Sequence, residues 1–173
     1  TDLNVSDTDI TEGLKKFQGV GRRFQQLGDK VFEHGSARII DDYGHHPQEI
    51  SSTIDALRRV WPDKKLVHVF QPHRYSRTKA LFEGFVEALS LADELILLDV
   101  YSAGESPIEG ATSAAIAQKL QERGKTAYLA NEQNLMATLD TLIPNGNILL
   151  MQGAGNIGAL ANQLVQNTQE PIS

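Results

Sequence analysis

The sequence contains no cysteine among its 173 residues. This absence excludes a disulfide framework, a thiolate nucleophile and a zinc site built on cysteine. Long apolar runs are missing too: none approaches the roughly 20 residues that a membrane-spanning helix needs, and no charged-then-apolar signal segment opens the chain. We therefore expect a cytoplasmic protein.

Basic residues are fewer than acidic ones. The sequence has 16 Lys and Arg residues, 22 Asp and Glu residues and a net charge of −6. No run of like charges forms a basic or acidic tail. This charge balance argues against nucleic acid as the main partner, because binding its phosphates needs a concentrated basic face. The hydrophobic content of 40% is that of an ordinary globular domain.

Short apolar runs alternate with helical patterns over most of the chain. Strands are predicted at 37–41, 65–70, 94–100, 125–130 and 147–152, and helices at 47–61, 78–91, 113–123, 132–143 and 156–165. This alternation predicts an α/β fold in which a mostly parallel sheet carries helices on both faces.

The start of the chain follows a different pattern. A helical stretch ends at a Gly-Val-Gly break, 19–21, which we interpret as a linker after the tail of a preceding domain at 1–18. Residues 22–173 are interpreted as the domain proper. It begins with a predicted edge hairpin whose arms, 22–27 and 30–34, turn at the Gly-Asp pair between them.

Four loops follow the carboxyl ends of the predicted parallel strands, which is where ligands bind in such sheets. They span 41–47, 71–78, 101–112 and 152–156. Because the unusual polar residues concentrate in these loops, we expect the functional site where the loops meet.

The first loop reads Asp-Asp-Tyr-Gly-His-His-Pro and is unusually dense in polar groups. Pro47 starts the next helix, so free backbone N–H groups and the positive end of the helix dipole face Asp42, Tyr43, His45 and His46. This arrangement favours a site for a phosphate, carboxylate or ribose group over a simple polar turn.

The second loop reads Gln-Pro-His-Arg-Tyr-Ser-Arg-Thr over 71–78. Arg74 and Arg77 are three residues apart, a spacing that puts both guanidinium groups on one side if this loop runs into the following helix. Two such groups suit a carboxylate or phosphate, since each binds two oxygens.

The third loop contains Ser102, Ala103, Gly104 and Glu105. Glu105 could accept an ammonium group, and Gly104 allows a close approach of the backbone to a ligand. An ordinary surface loop explains the same residues equally well.

Two further patterns suggest other functions. Residues 153–158 read Gly-Ala-Gly-Asn-Ile-Gly, the pattern of a dinucleotide-binding turn, but the acidic residue on a following strand is missing, which favours a plain tight turn. Asp42, His45, His46 and His73 could instead assemble as a metal site, and a metal-dependent hydrolase using His45, His46 and His73 is the other alternative. The spacings typical of metal-binding histidines do not occur, so we expect no metal site.

Taken together, the loops resemble the Mur ligases. The resemblance covers nearly the whole chain in order, through FQGVGRRFQ at 17–25, DDYGHHP at 41–47, FQPHRYSRT at 70–78, DVYSAGESPI at 99–108 and QGAG at 152–155. The branch that joins L-alanine to UDP-N-acetylmuramate is the most similar. The branch that attaches a murein tripeptide is similar in plan and is the alternative.

The resemblance implies a three-domain cytoplasmic ligase of peptidoglycan synthesis, and hence of cell-wall growth, cell shape and cell division. An N-terminal domain binds the UDP-sugar, and a central domain, whose tail would be 1–18, holds ATP and Mg²⁺ on a P-loop. The Rossmann-like C-terminal domain binds the amino acid. This sequence contains no G-x-x-x-x-G-K-[ST], so the isolated chain is expected to be inactive and to hold no tightly bound cofactor.

The resemblance also implies residue roles. Tyr43, His45, Arg74 and Arg77 would surround L-alanine, with the arginines on its carboxylate and His45 assisting loss of the amine proton. Asp42 and His46 would lie towards the nucleotide or position the loop. Residues 102–105 would line a pocket small enough for a methyl side chain.

Overall fold

The computed structural model of the chain describes residues 21–144 and 147–166. The interpretation of 1–18 as the tail of another domain, and all but the last residue of the linker, lie outside these residues. The strands are β1 Gln25–Phe32, β2 Gly35–Asp42, β3 Leu66–Phe70, β4 Glu94–Leu98, β5 Tyr128–Ala130 and β6 Asn147–Gln152. The helices are α1 Pro47–Val60, α2 Tyr75–Ala80, α3 Phe82–Leu89, α4 Ser113–Glu122, α5 Leu135–Leu142 and α6 Ile157–Gln166.

The strands form one six-stranded sheet in the order β1-β2-β6-β3-β4-β5. Every neighbouring pair from β2 to β5 is parallel, and β1 is antiparallel to β2 at the edge. The central strands β3 and β6 are buried along their whole length, which explains their nearly continuous apolar sequences. The prediction of a mostly parallel α/β sheet is confirmed.

Two apolar layers cover the two faces of the sheet. Helices α1, α3 and α4 pack on one face, and α5 and α6 pack on the other. Successive residues of a strand point to opposite faces, so Ile40 belongs to the first layer and Ile39 to the second. Among the described residues, every helix is too short or too polar to cross a bilayer.

The predicted edge hairpin is wrong in its register. β1 runs straight through Gly28 and pairs with β2, so the turn falls at 33–34. Gly28 lies in a left-handed conformation, with φ of 138°, where the pairing register shifts. A glycine in a strand marks a bulge as readily as a turn, and the sequence does not distinguish the two.

The helix predicted at 78–91 is also different. It begins earlier, at Tyr75, and is broken at Leu81 into α2 and α3. Leu81 has φ −114° and ψ 21°, which is outside the helical range. The helical hydrogen-bond pattern nevertheless continues across the break. The Leu81 N–H donates to the Arg77 carbonyl, and the Phe85 N–H donates to the Leu81 carbonyl. The apolar periodicity crosses the break undisturbed, which hides it in the sequence.

Candidate functional site

The predicted loops meet at the carboxyl edge of the sheet and are joined through their backbones. The Gly153 N–H donates to the Asp42 carbonyl at 3.1 Å, and the Gln71 N–H donates to the Gln152 carbonyl at 3.0 Å. The Tyr101 N–H donates to the Pro72 carbonyl at 2.8 Å. These bonds link the ends of β2, β6, β3 and β4 in that order, so the loops form one continuous rim.

The two adjacent acids of the first loop point to opposite faces of the sheet because they are consecutive in a strand. Asp42 lies on the α1 side. There it accepts hydrogen bonds from Gln152 Nε2 at 2.8 Å and from the backbone N–H groups of Phe24 at 2.9 Å and Gly44 at 2.8 Å. Thr53 Oγ1 is a fourth donor at 3.3 Å. These bonds make Asp42 the residue that holds the first loop in shape.

Asp41 lies on the α6 side and pairs with Arg22, a residue that no local sequence pattern indicates. Arg22 Nε is 3.1 Å from Asp41 Oδ2, and Arg22 Nη2 donates to the Gly153 carbonyl at 2.6 Å. The same guanidinium lies 5.1 Å from the centre of the Tyr43 ring. Burial raises the pKa of the Asp41 carboxyl more than Arg22 lowers it.

His46 caps helix α1. Its Nδ1 accepts from the Gln48 N–H at 3.4 Å, and Glu49 Oε2 accepts from the N–H groups of His45 and His46 at 2.9 and 3.0 Å. This reciprocal arrangement is a capping box. His46 therefore has a structural task at the helix start, which favours loop positioning over a contact with nucleotide.

His45 lies between Tyr43 and His73. Its Nδ1 lies 3.1 Å from the Tyr43 carbonyl oxygen, and a carbonyl only accepts. The neutral ring therefore carries its proton on Nδ1, which leaves the lone pair on Nε2. The ring lies edge-on to Tyr43, with centroids 5.4 Å apart, and its centroid is 6.0 Å from that of His73.

His73, considered in the sequence only as a metal ligand, stands at the centre of the cluster. It stacks on Tyr101 with ring centroids 5.5 Å apart. Arg77 Nη1 lies 3.2 Å from His73 Nδ1, and since a guanidinium only donates, this nitrogen accepts. The pKa of His73 is lowered by burial and by the positive charges of Arg77 and Arg74, so the ring is neutral near neutral pH.

The expectation that Arg74 and Arg77 share one side of a helix is wrong. Arg74 precedes α2 as its cap residue, with φ of 72°, so helical spacing does not apply to it. Its side chain is half-exposed, with Nη1 4.0 Å from Glu105 Oε1. Arg77 turns back instead and donates to the His73 carbonyl at 3.2 Å. Both positive charges nevertheless lie close enough to His73 to lower its pKa.

The third loop lies beside this cluster and is open to solvent. Ala103 and Gly104 are exposed and adopt positive φ values of 50° and 85°. Glu105 uses its two oxygens on Ser76, accepting from Oγ at 2.7 Å and from the N–H at 3.0 Å. A closed pocket next to Ser102 would thus need a further wall.

The glycine-rich turn after β6 is filled by the protein's own side chains. A Cβ at Gly153 would lie 2.6 Å from the Gln71 carbonyl oxygen, one at Gly155 would fall on the Gln71 and Tyr101 side chains, and one at Gly158 would fall on the Arg22 guanidinium. Gln71 Oε1 also accepts from the Ile157 N–H at the start of α6. The space that a dinucleotide phosphate would need is occupied, which supports the tight-turn interpretation.

The residues of the metal alternative are engaged elsewhere. His46 and Asp42 are used by the helix cap and the loop, as described above. Within 21–144 and 147–166, no group of three or more His, Asp or Glu side chains could hold a metal ion. No observation in the described part of the chain therefore favours a metal-dependent hydrolase.

Comparison with known proteins finds similar sequences among proteins named as ligases. The sequence model of the family described as "Mur ligase, glutamate ligase domain" matches residues 22–155. UDP-N-acetylmuramate–L-alanine ligase from Legionella pneumophila is 60% identical over 167 residues, which cover 96% of this chain and 36% of that protein. The chain thus spans about a third of the length of the curated relatives it matches.

Two solved structures extend the comparison. The UDP-N-acetylmuramate–alanine ligase from Thermotoga maritima superposes with a TM-score of 0.68 at 29% identity, over 96% of this chain and 34% of that one. A domain of a Haemophilus ducreyi protein, assigned as a UDP-N-acetylmuramate:L-alanyl-γ-D-glutamyl-meso-diaminopimelate ligase, superposes with a TM-score of 0.58 at 19% identity. The match covers 84% of this chain and 99% of that domain, so the second likeness shows that the same fold was crystallised as a separate domain.

Proposed function

This chain belongs to the Mur ligase family, and from that premise we propose that it is the C-terminal, amino-acid-binding domain of a UDP-N-acetylmuramate–L-alanine ligase. The 60% identical relative carries that name. We further propose that the domain extends over 22–173, that 19–21 is its linker to the central domain, and that the enzyme works in the cytoplasm.

The proposal rests on a cluster of four side chains that follow β2 and β3, namely His45, His73, Arg74 and Arg77. An amino acid offers a carboxylate and an ammonium group. Arg74 and Arg77 supply positive charge for the carboxylate. In the tautomer with its proton on Nδ1, His45 has its lone pair on Nε2, and an ammonium group must lose a proton before its nitrogen can attack. The two halves of the ligand thus have complementary groups within one cluster.

In the proposed reaction, the muramoyl carboxyl group is first converted to an acyl phosphate at the expense of ATP. The nitrogen of L-alanine attacks the acyl carbon, the carbon–nitrogen bond forms, and inorganic phosphate leaves from the tetrahedral intermediate. His45 takes the proton that the amine gives up. The remaining contribution of this chain is to hold the amine at a fixed position, which turns an encounter in solution into a reaction between neighbours.

ATP and Mg²⁺ are proposed for the whole enzyme, and the residues of this chain do not fit them as their main site. The sequence has no P-loop, and no group of acidic or histidine side chains in the described residues could hold a metal ion. We therefore propose that the nucleotide and its metal are bound by the central domain, and that UDP-N-acetylmuramate is bound by the N-terminal domain.

The decisive variant is Arg74→Ala in the complete ligase. Loss of a charged hydrogen-bonding partner of the carboxylate should raise the KM for L-alanine by about tenfold or more. The KM values for ATP and UDP-N-acetylmuramate should stay unchanged. Steady-state kinetics with each substrate varied in turn measures all three.

Arg59→Ala is the matched control, because Arg59 is exposed in the last turn of α1, at the other end of that helix from the site. It should leave every KM unchanged. An Arg74→Ala enzyme with an unaltered KM for L-alanine would contradict the carboxylate role. A wild-type enzyme that accepts a murein tripeptide and rejects L-alanine would identify the tripeptide-adding branch instead.

A further inference from the structure

His68 is a buried polar group that the proposed reaction does not use. It lies in the middle of β3 with no exposed surface, and neither ring nitrogen has a hydrogen-bond partner at ordinary distance. Gln152, at the end of β6, is also fully buried, and its Oε1 has no partner either. Two unpartnered polar groups in an apolar layer are costly unless they serve each other.

The sheet register brings these two side chains together. β3 and β6 are parallel neighbours, with His68 opposite Leu150 and Phe70 opposite Gln152. His68 and Gln152 are therefore diagonal neighbours on the same face, a separation that long side chains span. Apolar core residues, Phe70 and Leu150 among them, fill this layer, and Gln152 and Asp42 are the polar side chains that act on the His68 ring.

The orientation of the Gln152 amide is fixed from its other side. Its Nε2 donates to Asp42 Oδ1 at 2.8 Å. A carboxylate only accepts, so the NH₂ group must face Asp42, and the oxygen must face away from it. A neutral imidazole carries one N–H, which is the complement of that oxygen.

We propose that His68 is a positioning residue for the first loop: its N–H donates to Gln152 Oε1 and thereby holds the Gln152 amide against Asp42. Asp42 in turn holds Gly44, Phe24 and Thr53. The chain of contacts runs from the centre of the sheet to the loop that carries Tyr43 and His45. The functional meaning of this device, though not its geometry, rests on the proposed role of that loop in binding L-alanine.

The donor is permanent across the working pH range. Burial lowers the pKa of His68 to about 3, although Gln152 and Asp42 both act to raise it. The ring is therefore neutral wherever the enzyme functions, and it holds one proton on one nitrogen. His68 is a fixed support and not a pH switch.

The first test uses the 173-residue chain itself and does not depend on catalysis. NMR of the histidine ring nitrogens should show His68 as a single neutral tautomer with a slowly exchanging ring N–H. His68→Leu should shift the backbone amide signal of Gly44, whose N–H is bound to Asp42, and His68→Gln, which retains a donor, should restore it. Rapid exchange between tautomers, or an unmoved Gly44 signal in His68→Leu, would overturn the proposal.

A matched control separates this effect from general loss of a buried polar group. Asn147 Nδ2 is also buried without a partner, but Asn147 lies at the opposite end of β6. Asn147→Leu should leave the Gly44 signal where it is in the wild type. A Gly44 shift as large in Asn147→Leu as in His68→Leu would assign the effect to general loosening of the sheet and overturn the positioning role.

The second test measures kinetics in the complete ligase. His68→Leu should raise the KM for L-alanine about fivefold, the effect of one hydrogen bond, with kcat within about twofold of wild type, and His68→Gln should recover most of the loss. A fall in kcat with KM unchanged would overturn the proposal. If the wild-type enzyme does not use L-alanine, the proposed function fails, while the NMR result still decides whether His68 supports the loop.

Discussion

At the scale of single residues, the first loop shows how one sequence pattern serves two separate tasks. Asp41 and Asp42 are neighbours in the chain, but the pleat of β2 sends them to opposite faces. Asp42 meets four donors and shapes the loop, whereas Asp41 meets Arg22 and fixes the start of the described chain to the turn after β6. Their similarity in sequence gives no hint of this division.

Asp41→Asn should change how stability depends on pH. The folded pKa of Asp41 is raised above its ordinary value of 3.8 by burial, which outweighs Arg22. Relative to the variant, the wild type therefore has its full stability below that value and loses part of it as pH rises through the raised pKa. Urea unfolding of both proteins between about pH 3 and about pH 7 gives the difference.

Asp93→Asn is the control of opposite sign. Burial acts to raise the pKa of Asp93, but hydrogen bonds from Arg58 and the Leu66 N–H outweigh it and lower the pKa. The stabilisation by Asp93 should therefore be present above its unfolded pKa and be lost as pH falls through the lowered value. Two difference curves with the same slope would mean that the sign assigned to Asp41 is mistaken.

At the scale of elements, the turn between β6 and α6 packs against the residue that follows the neighbouring strand β3. Gln71, which follows β3, inserts its side chain between Gly153, Gly155 and the first N–H of α6, and its Nε2 donates to Asn156 Oδ1 at 2.7 Å. The turn is thus packed against the loop that leads to Arg74. Its glycines are needed for space, since a side chain there has no room.

Gly155→Ala should destabilise the fold by about 1–3 kcal/mol, because the new methyl group overpacks the Gln71 and Tyr101 side chains. Gly21→Ala is the control. There the nearest atom to the added carbon is Gln25 Oε1 at 3.8 Å, so the cost should stay within about 0.5 kcal/mol. Urea unfolding measures both, and equal effects would contradict the overpacking argument.

The sequence predicted elements well where local pattern and tertiary packing agree. The alternation of apolar strands and helices located the parallel sheet, and strand-end logic located the site loops. The prediction was wrong at Gly28 and Leu81, where a bulge and a helix break leave the apolar periodicity intact. Register depends on which residues lie opposite, and a single strand does not contain that information.

Within the site, the sequence selected residues by type but could not assign their partners. Tyr43, His45, Arg74 and Arg77 do gather at one edge. The sequence did not predict that the His73 ring is neutral. Its pKa is lowered by burial and by charges that come close only after folding. Arg22 was overlooked because its partner, Asp41, is 19 positions away. Both lie in runs that carry the family resemblance, which is the signal that could have found them.

At the scale of the whole molecule, the chain has the organisation of a separate folding unit. One sheet and two apolar layers account for the core of the described residues, and the same fold has been crystallised as a separate domain. We therefore expect the chain to fold by itself without catalysing a reaction, because it contains the groups proposed to bind the amino acid but its sequence has no P-loop.

The pure 173-residue chain should release no phosphate from ATP above the rate in buffer, because the main nucleotide site is proposed to lie in another domain. The chain must be shown to be folded in the same sample. Circular dichroism and the fluorescence of Trp61, which stacks on Phe24 with centroids 6.2 Å apart, should follow one common unfolding transition. Sustained ATP turnover by the folded chain would refute the proposed division of labour.

The close packing of the turn after β6 limits how this turn could be redesigned to bind a dinucleotide. A glycine-rich turn pattern indicates that another group approaches the backbone closely. It does not distinguish a bound cofactor from a neighbouring side chain. Engineering a dinucleotide site at this turn would first require the removal of the Gln71, Tyr101 and Arg22 side chains. Because Arg22 and Gln71 also hold the loops around the proposed amino-acid site, the redesign would disturb that site before a new one formed.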